Sequence, residues 1–276
     1  MEKIGIIGYG SMADMMVQKW LEADVIAAHQ LMIHTRSETE RLHQLLKQHQ
    51  DIHITSIEEL SVSCDMMFVC VPPLAVCDIL DQLHQVKANA HIVSIAAAVT
   101  LEKLAQHTKQ PVSRYIPTLT SAVGTGVSLV AHRENVGQKH REQLNRFLSA
   151  FSLVREIEED QMDVASNLTS SSPGFIAAMF EEMAKSAVRH SSLSLDEAYE
   201  LLTYALLGTG QVLVERGLTF AETVDRVATK GGITGEGAAV IQAQAPRLFD
   251  DLFTQTMKKY EQLKLQIGDA DQHHER

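Results

Sequence analysis

Lys3-Ile4-Gly5-Ile6-Ile7-Gly8-Tyr9-Gly10-Ser11-Met12-Ala13 is the stretch whose reading decides the fold. Its first five residues predict a short β-strand, and the residues after Ala13 have the apolar spacing of a helix. Between them Gly8, Gly10 and Ala13 form a GxGxxA turn. The first glycine permits a tight turn, and the second lets backbone amides, those of Ser11 and Met12 among them, approach a pyrophosphate. The small third residue lets helix and strand pack closely. The helix N-terminus adds N–H donors and partial positive charge. Strand, glycine loop and helix in this order indicate a dinucleotide-binding unit.

Working outward, short β-branched or apolar runs alternate with helix-patterned segments, the mark of a parallel sheet wound by helices. Strands are expected at Lys3 to Ile7, Leu31 to His34, Ile52 to Thr55, Met66 to Val71, His91 to Ile95, Val112 to Ile116, Val127 to Ala131 and Leu153 to Ile157. From about Asp160 the pattern turns helical throughout. This divides the chain into a Rossmann-type doubly wound α/β domain, residues 1–158, and an all-α domain, residues 159–276. Ser56 with Glu59, Ser194 with Glu197 and Thr219 with Glu222 are capping-box patterns, and Ser172-Pro173 reads as an N-cap followed by an N1 proline. A helix from about Leu195 to Arg216 is apolar on more than one face, so burial between two subunits is expected. A closing helix is expected from about Arg247 to Gln266, followed by a frayed GDADQHHER tail.

Two further features bear on the dinucleotide. The second strand ends in Thr35-Arg36-Ser37, where an NAD site usually carries a carboxylate for the ribose 2′-hydroxyl. A guanidinium with hydroxyl donors suits a 2′-phosphate, so NADP is expected over NAD. Val71-Pro72-Pro73 ends the fourth strand, where the chain would leave the sheet beside the nicotinamide end of the cofactor.

Composition bounds the rest. The 276 residues carry 45% hydrophobic and 21% charged side chains, within ordinary globular usage. Aromatic residues are only 5%, so the core must rely on Ala, Leu, Ile, Val and Met. A net charge of −11 opposes nucleic acid and anionic membrane as partners. No apolar run reaches membrane-span length and no export signal opens the chain, so a cytoplasmic location is expected. Cys64, Cys70 and Cys77 lack paired spacing, and the 13 histidines show no ligand pattern, so neither disulfides nor a metal site are expected.

GIIGYGSMA, VCVPP, Arg114-Tyr115-Ile116-Pro117, Gly124-Thr125-Gly126, Ser171-Ser172-Pro173-Gly174-Phe175 and Gly231-Gly232-Ile233-Thr234 fall along the chain in one order. In that order they resemble the pyrroline-5-carboxylate reductase family over almost the whole length. The resemblance implies a Rossmann domain followed by a helical homodimerisation domain. It also implies NADPH-dependent hydride transfer to the C=N carbon of 1-pyrroline-5-carboxylate, a small imino acid, giving L-proline. Gly231, Gly232, Ile233 and Thr234 would then hold the substrate carboxylate at a helix start, with Thr118 and Ser172 also on the substrate side. Thr234 and Ser171 are the candidate catalytic hydroxyls.

Three motifs depart from the family pattern. Thr118 and Leu119 stand in a segment that usually reads MPN-T-P, Ser170 and Ser172 flank Ser171 where G-S-G-P-A-Y is usual, and Ile233 replaces the first threonine of GGTT. Such a pattern resembles the family's divergent paralogue encoded in bacterial late-competence operons. It leaves open a weakly active or inactive NADP-binding regulatory protein, or a reductase of another imino acid.

Overall fold

The computed structural model describes residues 2–83, 87 and 89–274. By compactness the chain separates into two units, Met1–Ser171 with Thr256–Arg276, and Ser172–Gln255.

In the first unit the strands are β1 (Ile4–Ile7), β2 (Leu31–His34), β3 (His53–Ile54), β4 (Met66–Val69), β5 (His91–Ser94), β6 (Val112–Ile116), β7 (Gly126–His132) and β8 (Ser152–Glu156). They form one sheet ordered β3-β2-β1-β4-β5-β6-β7-β8. All neighbours are parallel except β6 and β7, which the sequence reading had not separated from the parallel set. The short turn Leu119–Val123 joins this antiparallel pair, too little chain for a parallel crossover. Two strands are shorter than expected by two residues. β3 has only His53 and Ile54, both exposed at the sheet edge, and β4 stops at Val69, before the prolines.

Helices α1 (Ser11–Glu22), α2 (Glu40–Gln48), α3 (Ile57–Ser63), α4 (Val76–Gln82), α5 (Leu101–His107), α6 (Gln138–Leu148) and α7 (Met162–Ser166) accompany the strands. Neighbouring strand residues feed different cores. Ile7, Met67, Val69 and Ile92 join residues of α3, α4 and α5, whereas Ile6, Phe68 and Val93 join residues of α1 and α6. The sparse aromatics concentrate in the second core. Trp20 lies 4.9 Å from Phe68 and 5.2 Å from Phe147 by ring centroids, and its indole N–H donates to Phe147 O at 2.9 Å. A buried indole thus keeps its donor satisfied.

Only half of the first expected capping box forms. Ser56 Oγ accepts from the Glu59 amide, but the Glu59 carboxylate takes the Thr55 hydroxyl instead of closing the box. Ser172-Pro173 is not a helix start. The chain is helical without interruption from α7 through a π turn, Asn167–Ser171, into α8 (Ser172–Arg189). Proline has no amide to donate, and its ring crowds the carbonyl four residues back, so a widened turn just ahead of Pro173 is where such a helix adjusts.

The second unit contains α8, α9 (Leu195–Arg216), α10 (Phe220–Val227) and the first part of α11 (Ile233–His274). The boxes of Ser194 with Glu197 and Thr219 with Glu222 are complete. α11 is one helix where the sequence suggested a start at 247 and fraying from 268. Pro246 sits inside it, and helix continues through His274; the last two residues lie outside those described. Of α9 only Ala198 is buried within the chain, while Tyr204 is 69% and Val214 is 83% exposed. Among the described residues no helix is long and apolar enough to cross a membrane.

A row of polar groups crosses β5, β6, β7 and β8 inside the first unit. Ser113 Oγ lies 2.6 Å from His91 Nε2 and 2.6 Å from His132 Nδ1, and His132 Nε2 lies 3.8 Å from Glu156. Burial holds both rings neutral, lowering His91 from 6.5 to about 3 and His132 to about 4. The unfolded chain takes up these protons once pH drops below 6.5, and the folded chain does not. Stability is therefore full above that value and is lost as pH falls toward 4. The melting temperature should fall by roughly 5 °C or more between pH 6.5 and 4.5. His91→Gln, which keeps a polar group beside Ser113 without titrating, should flatten that slope; thermal melts across the range check both.

Candidate functional site

The β1–α1 turn is held open by its own shape. Gly8 has φ +87°, which disfavours any side chain, and a Cβ there would stand 2.7 Å from the Cys70 carbonyl oxygen at the end of β4. The turn therefore lies against the end of the next strand. Gly10 differs: its Cβ position faces open space. It caps α1 with no side-chain hydrogen bond, so the amides of Ser11, Met12 and Ala13 are not taken by a cap. Ala13 is buried, in keeping with the close packing its size permits. Tyr9 braces the loop from behind. Its phenol donates to Asp14 Oδ1 at 2.8 Å, and burial with this carboxylate raises its pKa well above the usual range.

A cleft of about 320 Å³ opens at this turn. Gly8, Gly10, Thr35, Arg36, Ser37, Val71 and Pro72, all candidate cofactor residues, line it. Pro73 begins a short 3₁₀ turn next to it. Arg36 is exposed, and Glu38 lies 3.6 Å from His43 Nε2. Thr35 Oγ1 is engaged with the Ser37 backbone at 3.3 and 3.4 Å, which ties the strand end into a compact turn. The sequence reading missed Tyr9, His34, Thr39 and Cys70, which also line the cleft. Thr39 carried a signal, since it caps α2 by accepting from the Leu42 amide. The Cys70 thiol is pushed up by burial, which keeps it protonated.

The donor set fits a dinucleotide phosphate: a glycine cradle, uncapped amides at a helix start, and a guanidinium at the second strand end. A bound nicotinamide dinucleotide would be held by these residues and would supply hydride chemistry.

The substrate-side candidates are spread over both units. Thr118 is buried, and its hydroxyl works within the turn after β6, 3.0 Å from Thr120 Oγ1 and accepting from the Val127 amide at 3.3 Å. Ser171 ends the π turn and Ser172 begins α8, so neither sits at a free helix N-terminus as expected. In the second unit Gly231 (φ +72°) and Gly232 lead directly into α11, which starts at Ile233 as the motif suggested. Thr234 is exposed in its first turn. Thr229, which sequence reasoning passed over, packs its hydroxyl against Gly232, while Gly232 N–H donates to Thr229 O at 2.8 Å. Among the described residues no group of three or more His, Cys, Asp or Glu side chains could hold a metal ion.

A family model for pyrroline-5-carboxylate reductase dimerisation matches residues 159–263, and one for NADP oxidoreductase, coenzyme F420-dependent, matches residues 3–98. The chain is 50% identical to pyrroline-5-carboxylate reductase 3 of Bacillus subtilis, over 97% of this chain and 99% of that protein. It is 30% identical to ComE operon protein 4 of the same organism, over 94% and 96% respectively. In fold it is similar to a Plasmodium falciparum pyrroline carboxylate reductase solved with NADP bound, at TM-score 0.78 and 18% identity, over 98% of both chains. The glycine turn, the wound sheet and the helical C-terminal domain thus meet one set of relatives along nearly the full length. The chain belongs to the pyrroline-5-carboxylate reductase family, oxidoreductases acting on a C=N bond.

Proposed function

We propose that the protein reduces 1-pyrroline-5-carboxylate to L-proline with NADPH, in the cytoplasm and as a homodimer. The observation that carries this reading is the intact β1–α1 phosphate cradle in a chain 50% identical to a pyrroline-5-carboxylate reductase over nearly its whole length. Residues 1–158 serve as the NADP-binding part, and residues 159–276 serve dimerisation and substrate binding.

The chemistry asks little of the protein beyond positioning. A protonated cyclic imine is already electrophilic, so the residues have to hold its carboxylate and present its C=N carbon to the nicotinamide. Gly231, Gly232, Ile233 and Thr234 hold the carboxylate at the start of α11, where backbone amides and the Thr234 hydroxyl serve as donors. Thr118 shapes the substrate side, and Ser171 and Ser172 bring hydroxyls to it. Ser171 and Thr234 touch the substrate. Binding energy spent on this orientation lowers the barrier without a general acid of unusual pKa.

Arg36 with Thr35 and Ser37 favours NADPH over NADH by meeting the 2′-phosphate with a charge-assisted hydrogen bond. The exposed position of Arg36 and the placing of Glu38 beside His43 support this reading.

A second reading draws on the 30% identity to ComE operon protein 4 together with the altered substrate motifs: an NADP-binding regulatory paralogue of weak or no turnover, linked to competence. A third is reduction of another cyclic imino acid, since Ile233 makes its part of the site less polar.

NADPH oxidation by the purified protein should accelerate at least about a hundredfold when 1-pyrroline-5-carboxylate is added, given the barrier lowering that positioning supplies. No acceleration, with NADPH binding intact by calorimetry, would establish the regulatory reading; acceleration only by a different ring size in a cyclic-imine panel would establish the third. Arg36→Ala should raise the KM for NADPH about tenfold or more and leave that for NADH nearly unchanged. Equal losses for both cofactors would remove Arg36 from the 2′-phosphate site.

A further inference from the structure

His34 ends β2 directly beside the glycine turn and is fixed through both its backbone and its ring. It pairs with Ile7, and its carbonyl oxygen accepts from the Gly8 amide at 2.7 Å, so the residue is tied to the phosphate cradle. Its side chain is half-buried and lines the cleft. On the ring, Nδ1 stands 3.1 Å from the Thr55 carbonyl oxygen, just beyond β3. Thr55 is itself held: its amide donates to Ile33 O at 3.0 Å, and its hydroxyl donates to the Glu59 carboxylate. The carboxylate that leaves the Ser56 capping box open is therefore the base of a chain running from Glu59 through Thr55 to His34 at the cleft.

That chain sets the chemistry of the ring. A carbonyl oxygen can only accept, so Nδ1 carries the proton, and in the neutral imidazole Nε2 is left as an acceptor. Nε2 has no partner among the described residues. Neighbouring side chains at this strand end are committed elsewhere or have the opposite chemistry. Thr35 Oγ1 is engaged with the Ser37 backbone, Thr39 Oγ1 caps α2, and Arg36 has donors only. Among the described residues no carboxylate lines the cleft, although a dinucleotide site commonly uses one here to accept from the ribose hydroxyls. A carboxylate beside Arg36 would repel a 2′-phosphate; an uncharged acceptor would not.

We propose that His34 is a cofactor-binding residue that takes the place of this carboxylate: Nε2 accepts a hydrogen bond from the 3′-hydroxyl of the adenosine ribose, which NADPH and NADH share. The proposal rests on the reading of this cleft as the dinucleotide site and gives His34 a part distinct from that of Arg36. Arg36 meets the phosphate and separates the two cofactors, whereas His34 holds the sugar and serves both alike.

The test is calorimetry on the full chain, with NADPH, NADH and 3′-deoxy-NADPH as titrants and no imine present. His34→Asn keeps a donor amide in the place of Nδ1, so Thr55 stays engaged, and removes the acceptor at Nε2. It should weaken NADPH and NADH by the same factor, about fivefold, the size of one hydrogen bond to a neutral acceptor. The melting temperature should stay at the wild-type value. Wild-type protein should bind 3′-deoxy-NADPH about fivefold more weakly than NADPH, and His34→Asn should bind the analogue no more weakly than wild type does, because variant and analogue remove the same interaction. Unchanged cofactor affinity in His34→Asn would overturn the proposal, and a loss confined to NADPH would do so by placing His34 on the phosphate. It would equally fail if the analogue separated wild type from variant as strongly as NADPH does, or if the melting temperature fell along with the affinity. Wild-type protein that binds neither NADPH nor NADH would instead remove the dinucleotide site on which the proposal rests.

Discussion

The absent side chain of Gly8 is the constraint around which the first unit is arranged. Its left-handed backbone lets β1 turn straight into α1, and the Cys70 carbonyl fills the space where a Cβ would go. Two adjacent parallel strands therefore end in register at the turn, as the pairing of Ile7 with Val69 requires. The cleft lies where these strand ends stop, with β2 supplying Thr35-Arg36-Ser37 from the other side. In an open parallel sheet this crevice at the carboxyl ends of the strands is where ligands bind. Hydrophobic burial on both faces keeps the strands fixed, and the polar loops inherit their positions from it.

Polar groups elsewhere in the unit are used sparingly and in connected sets. The histidine row linked by Ser113 ties four strands across the sheet, and the set around Arg114 ties β6 to α7 and to the end of α11. Burying Arg114 carries a desolvation cost that only close carboxylates offset, and Glu159, from the 3₁₀ turn Glu159–Gln161 after β8, and Asp163, from α7, stand there. Such sets define which helix packs where more sharply than apolar contact alone. The returning end of α11 is fixed in this way, Thr256 and Lys264 supplying polar contacts and Tyr260, Leu263 and Ile267 apolar ones.

Much of this was legible before any coordinates. The glycine turn, the second strand end and the change of texture after β8 follow from residue types whose conformational limits are strong and local. The complete boxes at Ser194 and Thr219 were legible for the same reason, since both partners lie within four residues. The misreadings come from competition between local signals and neighbours. Glu59 had the Thr55 hydroxyl within reach and took it in place of the Ser56 amide. Ser172-Pro173 has the pattern of a start, but α7 already supplies the preceding turn, and a π turn absorbs the proline. The closing helix was expected only from about Arg247, but α11 already runs from Ile233 and carries Pro246 inside it. The contact between Asn167 and Thr256 joins residues far apart in sequence and leaves no local pattern to read.

The large share of α9 left uncovered within one chain has a thermodynamic meaning. A helical unit whose only buried α9 residue is Ala198 obtains little of its stability from its own interior. The rest has to come from association, which the match to the family's dimerisation model assigns to these helices. Folding of that unit is then a reaction of higher than first order, and its midpoint moves with total protein concentration. Dilution acts on this unit as a denaturant would, while the sheet-bearing unit has two hydrophobic cores of its own.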